Sequence, residues 1–457
     1  MGPGVGRDDK GRRRIGSIAV ASVVVALILG LALVTIGRRS VGSDDAQAPL
    51  AADAPLSSTV TVSAIPAPPP PDPAVPGPVE VDLRQELASP RATPTAEPSE
   101  GPTVVVEPVG PVGCPPGEQV AFCEMVAFVE QETGRPFRAF PTIELAADEE
   151  FEARLLADLH ESREDIDRDG HLLAALGLLD PSDDLYTSMR SLLGVGVVGF
   201  YAPETDELVV RGNTVTPYVA ETVAHELVHA LDDQWYGLHR PSYEERDDEV
   251  GFGFAALVEG HALQIQDRWR EAQPAEVRLD ASSEQLAYVS DIDVSRFPAM
   301  ALRLISAPYL HGPEFVDALD GAGVGLAESF AAPAVSSEQV LHPHRYLSGE
   351  RPVAVADPPI DGDEVGQGTI GEFLLKQVLA VHLGDDRRAA GAADGWAGDR
   401  YRTWTEADGA RCVRFDLVAD SNGDHLELAS AFGALAAADP AWVVDDFGTS
   451  LRVTACR

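Results

Sequence analysis

The chain has 457 residues, with 34 Lys+Arg against 74 Asp+Glu and a formal net charge of −40; its 45% hydrophobic content is too high for a wholly disordered polypeptide. The charge is uneven: residues 1–39 hold seven bases and two acids, which leaves 27 bases against 72 acids, or −45, for the rest. A body that acidic repels phosphate backbones and argues against a nucleic-acid partner, and four cysteines are too few for a disulfide-built miniprotein.

Residues 1–14 form a basic tail. Residues 15–37 carry no charge, and at about 1.5 Å per residue a helix of that length spans the roughly 30 Å hydrocarbon core of a bilayer. Five bases before this run and two after it place the N-terminus in the cytoplasm and everything beyond residue 39 outside. The rival is a cleaved signal peptide with a weak site at Ala46–Ala48, although such apolar stretches are usually shorter. Residues 40–112 hold sixteen of the 35 prolines; repeated proline removes amide donors and fixes φ, which predicts a semi-extended, disordered tether.

From residue 113 to 457 the texture is that of a folded domain. The spacing predicts a helix over 117–134, a strand over 137–145 and a helix over 149–160. Asp165–Gly170 imitates the start of a calcium loop, but Leu176 stands where a bidentate Glu is needed, so it reads as a turn before an apolar helix over 171–179. Val197–Tyr201 and Glu207–Val210 read as hairpin arms around Pro203–Asp206. The chain is then mostly helical to about 383. A C-terminal subdomain from about 385 has strands over 412–418 and 450–456 around a helix over 426–437, with Asp420–Asp424 as a turn. In an oxidising compartment Cys114–Cys123 and Cys412–Cys456 are the expected disulfides, the first closing a short loop and the second tying two strands. The overall class is α+β.

The chemistry concentrates in residues 216–236. Thr216 is a good N-cap, Pro217 a good first helical residue, and nothing breaks the helix before Gly237. His225 and His229, four apart, face the same way and can grip one ion. Glu226 lies about 100° further round the helix and can reach a water without being a ligand. This is H-E-x-x-H on a helix, the arrangement expected of a zinc protease, and its apolar neighbours mark the helix as buried. Zinc wants three protein ligands and an open position. A second helix, 250–270, supplies Glu259 from an apolar run where an unpaired carboxylate is costly. His261 is the rival ligand, on nearly the opposite face, and an arginine salt bridge is the alternative role for Glu259.

The strings AHELVHALDDQ (224–234), ALVEGHA (256–262), PYLHGPEFVDAL (308–319), SSEQVLHPHRY (336–346) and GWAGDRY (395–401) together resemble a family of uncharacterised, membrane-anchored bacterial proteins. Those proteins are regarded as zinc metallopeptidases of the gluzincin type, related to thermolysin. The resemblance covers roughly residues 120–457 and implies a zincin-like peptidase domain. It implies His225, His229 and Glu259 as zinc ligands, Glu226 as general base and Asp233 as support for a histidine ligand. Relatives commonly carry an acid where this chain has His261. The oxyanion needs a donor; among His342, His344, Tyr346 and Tyr201, the shared LHP string favours His342. In zincins the strand before the active helix pairs with the substrate, so Gly199–Tyr201 are expected to line the cleft. Gly395–Tyr401 reads as a packing motif.

The resulting expectation is a single-pass membrane protein with an extracytoplasmic zinc peptidase acting on peptides or proteins, with its oligomeric state open. Two other readings remain: a zinc hydrolase of non-peptide or cell-wall amide bonds, and a non-hydrolytic, zinc-stabilised envelope scaffold.

Overall fold

The structure, a computed structural model, describes residues 22–25, 113–116, 118–158, 162–240, 243 and 248–457. Of the expected membrane helix only Ser22–Val25 (β1) are described, and they form a strand. That strand pairs antiparallel with the strand Val197–Ala202. The remainder of 15–37, the tail 1–14 and the tether 40–112 lie outside the described residues. No helix among the described residues is long and apolar enough to cross a membrane.

Helix α1 (Val120–Thr133) ends at Gly134, whose φ of 66° supplies the left-handed cap. Strand β2 (Thr142–Ala146) begins later than expected. The amide of Phe137 donates to Glu130, and those of Arg138 and Ala139 donate to the Gln234 side chain, so this stretch spends its donors outside a sheet. After α2 (Asp148–Asp158) comes α3 (Arg163–Ala175), which takes in Asp165–Gly170. The turn expected there is corrected: Ser162 and Asp165 form a capping box, and the helix starts before the acidic run.

Helix α4 (Leu185–Gly196) leads into β3 (Val197–Ala202), and a turn leads into β4 (Glu207–Arg211). These strands are antiparallel, with Asp206 at φ 56° in the turn; β2 joins β4 in parallel and β1 joins β3, giving the order β1-β3-β4-β2. Helices α5 (Pro217–Tyr236), α6 (Asp248–Ala272), α7 (Ala275–Ser290) and α8 (Ala299–Ala322) follow, then the short α9 (Leu326–Ala331), α10 (Ser337–Leu341) and α11 (Pro343–Ser348). Helix α5 packs on the sheet through Val219, Val223 and Leu227, in one core with Tyr201, Leu208 and Val210.

Helices α6 and α8 cross at glycines. A Cβ on Gly260 would lie 2.3 Å from the Gly312 carbonyl oxygen, and one on Gly312 would lie 2.3 Å from that of Ala256. Only glycine permits this approach.

The C-terminal layer comprises β5 (Asp363–Gly368), α12 (Gly371–Leu383), α13 (Asp386–Ala393), β6 (Trp396–Thr405), β7 (Arg411–Ala419), α14 (Asn422–Ala438), β8 (Trp442–Asp446) and β9 (Leu451–Cys456). Its antiparallel sheet, ordered β5-β6-β7-β9-β8, packs against these helices around Trp396, Tyr401, Phe415 and Phe432. Both expected disulfides are present, and Cys412 and Cys456 are direct cross-strand partners. Ser421 caps α14, so Asp420–Asp424 is a helix start rather than a free turn.

Candidate metal centre

Helix α5 begins as the sequence predicts, with Thr216 accepting from the Val219 amide and Pro217 in the first turn, and it ends before Gly237. His225, Glu226 and His229 are fully buried on it, and Glu259 of α6 is buried beside them. The structure brings His225, His229 and Glu259 together, with one donor atom from each lying within 4.8 Å of the others. His225 Nε2 is 3.1 Å and His229 Nε2 is 3.5 Å from Glu259 Oε2.

The His225 Nδ1 lies 2.9 Å from the side-chain oxygen of Gln266, so the two ring nitrogens of His225 meet Gln266 on one side and Glu259 on the other. Burial lowers the His225 pKa, which favours the neutral ring. Burial alone would raise Glu259, but the facing histidines outweigh it and hold its carboxyl down to about 2. The His225 Nε2 and the Glu259 carboxylate thus stand 3.1 Å apart, within reach of a shared proton or a shared cation. Both ring nitrogens of His229 are buried without a hydrogen-bond partner among the described residues. His225, His229 and Glu259 could hold a metal ion, and Gln266 contacts the outer nitrogen of His225.

Glu226 faces β3. A Cβ on Gly199 would stand 3.3 Å from the Glu226 Cγ and 2.6 Å from the Thr222 Cγ2, so the missing side chain lets the strand run against the helix at this residue. Two buried ties hold α5 to α6: Arg270 makes a bidentate pair with Glu221 at 2.9 and 2.5 Å, and His261 Nδ1 is 2.7 Å from Asp232. His261 therefore works in the helix interface and is not among the converging donors. Glu259 contacts two histidines and a tyrosine, and among the described residues it forms no arginine salt bridge.

Asp233 departs from what the resemblance implied. Its carboxylate accepts from the Tyr201 hydroxyl at 2.8 Å and the Leu238 amide at 2.6 Å, fixing the end of α5 rather than supporting a histidine. The Tyr201 hydroxyl is also 3.1 Å from Asp206. His342 belongs to a different group: its Nε2 is 2.9 Å from Glu372 and 3.1 Å from Asp394, and the former hydrogen bond raises its pKa. Tyr346 donates to the Ala332 carbonyl, and the His344 ring lies 6.0 Å from that of His342. None of these hydrogen bonds reaches the His225–His229–Glu259 group. The residue missed in the sequence is Tyr309, whose hydroxyl donates to Glu259 Oε1 at 3.1 Å. Its signal was the PYLHGPEF string, which carried no assigned role.

Residues 357–456 match a family described as a domain of unknown function (DUF8575). The matched stretch is the C-terminal layer from just before β5, and it contains none of the converging donors. There the Gly395–Tyr401 string does packing work: Asp399 accepts from the amides of Ile370 and Gly371 and from the Trp396 indole. No curated protein and no solved structure matches the chain.

Proposed function

We propose that this chain is a zinc-dependent peptidase with His225, His229 and Glu259 as metal ligands and Glu226 as general base. The observation that carries the reading is the convergence of buried donor atoms of His225, His229 and Glu259 within 4.8 Å of one another, with Glu226 one residue along the same helix. Zinc held by His225, His229 and Glu259 would supply Lewis acidity for the hydrolysis. Glu226 would serve as the general base, taking a proton from the attacking water and giving it to the leaving nitrogen. Strand β3 supports the choice of a peptide substrate. It runs against the active helix at Gly199, so an extended segment pairing with it would lie near Glu226.

The body works outside the cytoplasm on this reading. The unbalanced basic flanks of 15–37 support that location, as do two disulfides, which persist in oxidising compartments.

The test is cleavage of a peptide library by the full-length chain, with and without a chelator, beside a Glu226→Gln variant. Chelator-sensitive cleavage that falls ~10²–10⁴-fold in the variant supports the peptidase. One zinc per chain with no turnover points to the scaffold, and cleavage indifferent to both chelator and Glu226→Gln refutes the mechanism.

A further inference from the structure

We infer that Tyr309 is a positioning residue for Glu259: its hydroxyl holds one carboxylate oxygen and reserves the other for the ion. This inference rests on the metal-centre reading above and adds a residue to it.

The two oxygens of Glu259 are used differently. Oε2 is the atom facing His225 Nε2 at 3.1 Å and His229 Nε2 at 3.5 Å, whereas Oε1 accepts the Tyr309 hydrogen bond at 3.1 Å. A carboxylate turned in this way offers a single atom to a shared ion. The terminal torsion of a glutamate is otherwise broad and roughly two-fold, so without an outer contact the group can rotate or present both oxygens. Tyr309 removes that freedom. A phenol is also suited to the task by charge. It donates without carrying a charge of its own, so the group keeps the single negative charge of Glu259 for a dication. A lysine or arginine in the same place would cancel it.

The helix crossing explains how Tyr309 reaches Glu259. Tyr309 lies three residues before Gly312, on the same face of α8, and Glu259 is next to Gly260 on α6. The glycine contact brings the two backbones close enough for a hydroxyl to meet a carboxylate across the interface. The Tyr309 ring also lies 6.5 Å from that of His225 at an interplanar angle of 19°, so one side chain flanks two of the three ligands.

The experiment uses the full-length chain and a Tyr309→Phe variant, which keeps the ring and removes only the donor. Three quantities are measured: Zn2+ affinity by competition with a chromophoric chelator, the visible absorption of the Co2+-loaded protein, and the melting temperature of the metal-free protein. Outer contacts of this kind are typically worth ~10–100-fold in metal affinity. Tyr309→Phe is expected to weaken Zn2+ by that factor and to shift the Co2+ bands, alongside a modest fall in the metal-free melting temperature from the lost bond to a buried carboxylate. Equal affinity and an identical Co2+ spectrum would overturn the inference. So would a lower metal-free melting temperature with unchanged affinity, because that marks a packing role alone. A wild-type chain that takes up neither ion refutes the metal centre itself, and the role of Tyr309 falls with it.

Discussion

Replacing Gly199 by Ala probes the contact between β3 and the helix that carries Glu226. The new Cβ would meet the Thr222 Cγ2 at 2.6 Å and the Glu226 Cγ at 3.3 Å. The first distance forces a shift and the second asks for a few tenths of an ångström. Both neighbours are fully buried, so neither can swing into solvent. Overpacking of this kind costs about 1–3 kcal/mol, against a gain of about 0.5 kcal/mol from a stiffer unfolded chain. The net loss should show in urea unfolding as a lower midpoint with an unchanged slope. Thr222→Ser supplies the control. It removes Cγ2 and keeps the hydroxyl that donates to the Tyr218 carbonyl at 3.2 Å. Combined with Gly199→Ala it should recover most of the lost stability, a coupling of about 1–3 kcal/mol. Activity should recover less, because the contact with the Glu226 Cγ persists in the double variant. Additive costs, or a Gly199→Ala variant as stable as wild type, would refute the close approach of strand and helix.

Other outcomes follow from the same geometry. His229→Ala and Glu259→Ala each leave two protein ligands, so the purified chain should lose its zinc by elemental analysis; zinc retained in Glu259→Ala but lost in His261→Ala would transfer the third ligand to His261. Burial pushes the carboxyl of Glu338 up to about 8 despite the neighbouring Arg345. The fold favours its neutral form, so this contribution is complete below the ordinary carboxylate range and is lost as pH rises through about 8. Melting temperatures at pH 5 and pH 8 should therefore differ less in Glu338→Gln than in wild type. Chain entropy over 44 residues gives the Cys412–Cys456 bridge about 4 kcal/mol, against about 3 kcal/mol for Cys114–Cys123 over 9. Denaturant midpoints of the two Cys-to-Ser pairs should rank in that order.

The active helix was legible because its signals are local. Thr216, Pro217 and Gly237 bound it, and the four-residue spacing of its histidines fixes a shared face. Glu259 was legible from burial, since a carboxylate in an apolar run needs partners. What sequence spacing concealed is what depends on pairs distant in the chain. Asp233 matches a helix position that supports a ligand in relatives, but its carboxylate is drawn to Tyr201 and Leu238. Gly395–Tyr401 reads in sequence as a packing motif and not as part of the strand Trp396–Thr405, because the partners β5 and β7 are not encoded in its own residues. The start of α3 reads as a turn in sequence because Asp and Gly are common to turns and helix starts; the Ser162–Asp165 capping box decides for the helix.

The C-terminal layer contains no converging donor, yet it is joined to the helix that supplies one. Glu249, near the start of α6, accepts from the amide and the hydroxyl of Ser337 at 2.6 and 2.8 Å. That hydroxyl in turn accepts from the Phe373 amide in the first turn of α12, and Asp399 of β6 holds the amides of Ile370 and Gly371 just before it. Gly371 has a φ of 70°, and a Cβ there would collide with the Glu249 carboxylate, so no other residue fits between them. The result is a buried polar chain running from β6 through α12 and α10 to α6. Partly satisfied polar chains are costly, so a break at Asp399 must be relieved by moving one of these elements. The element at its far end is the one whose register sets Glu259 against His225 and His229. On the proposed reading the layer braces Glu259, so substitutions within the Gly395–Tyr401 string should lower metal affinity through α6, a loss that metal titration of an Asp399→Asn variant would show and unchanged affinity would refute.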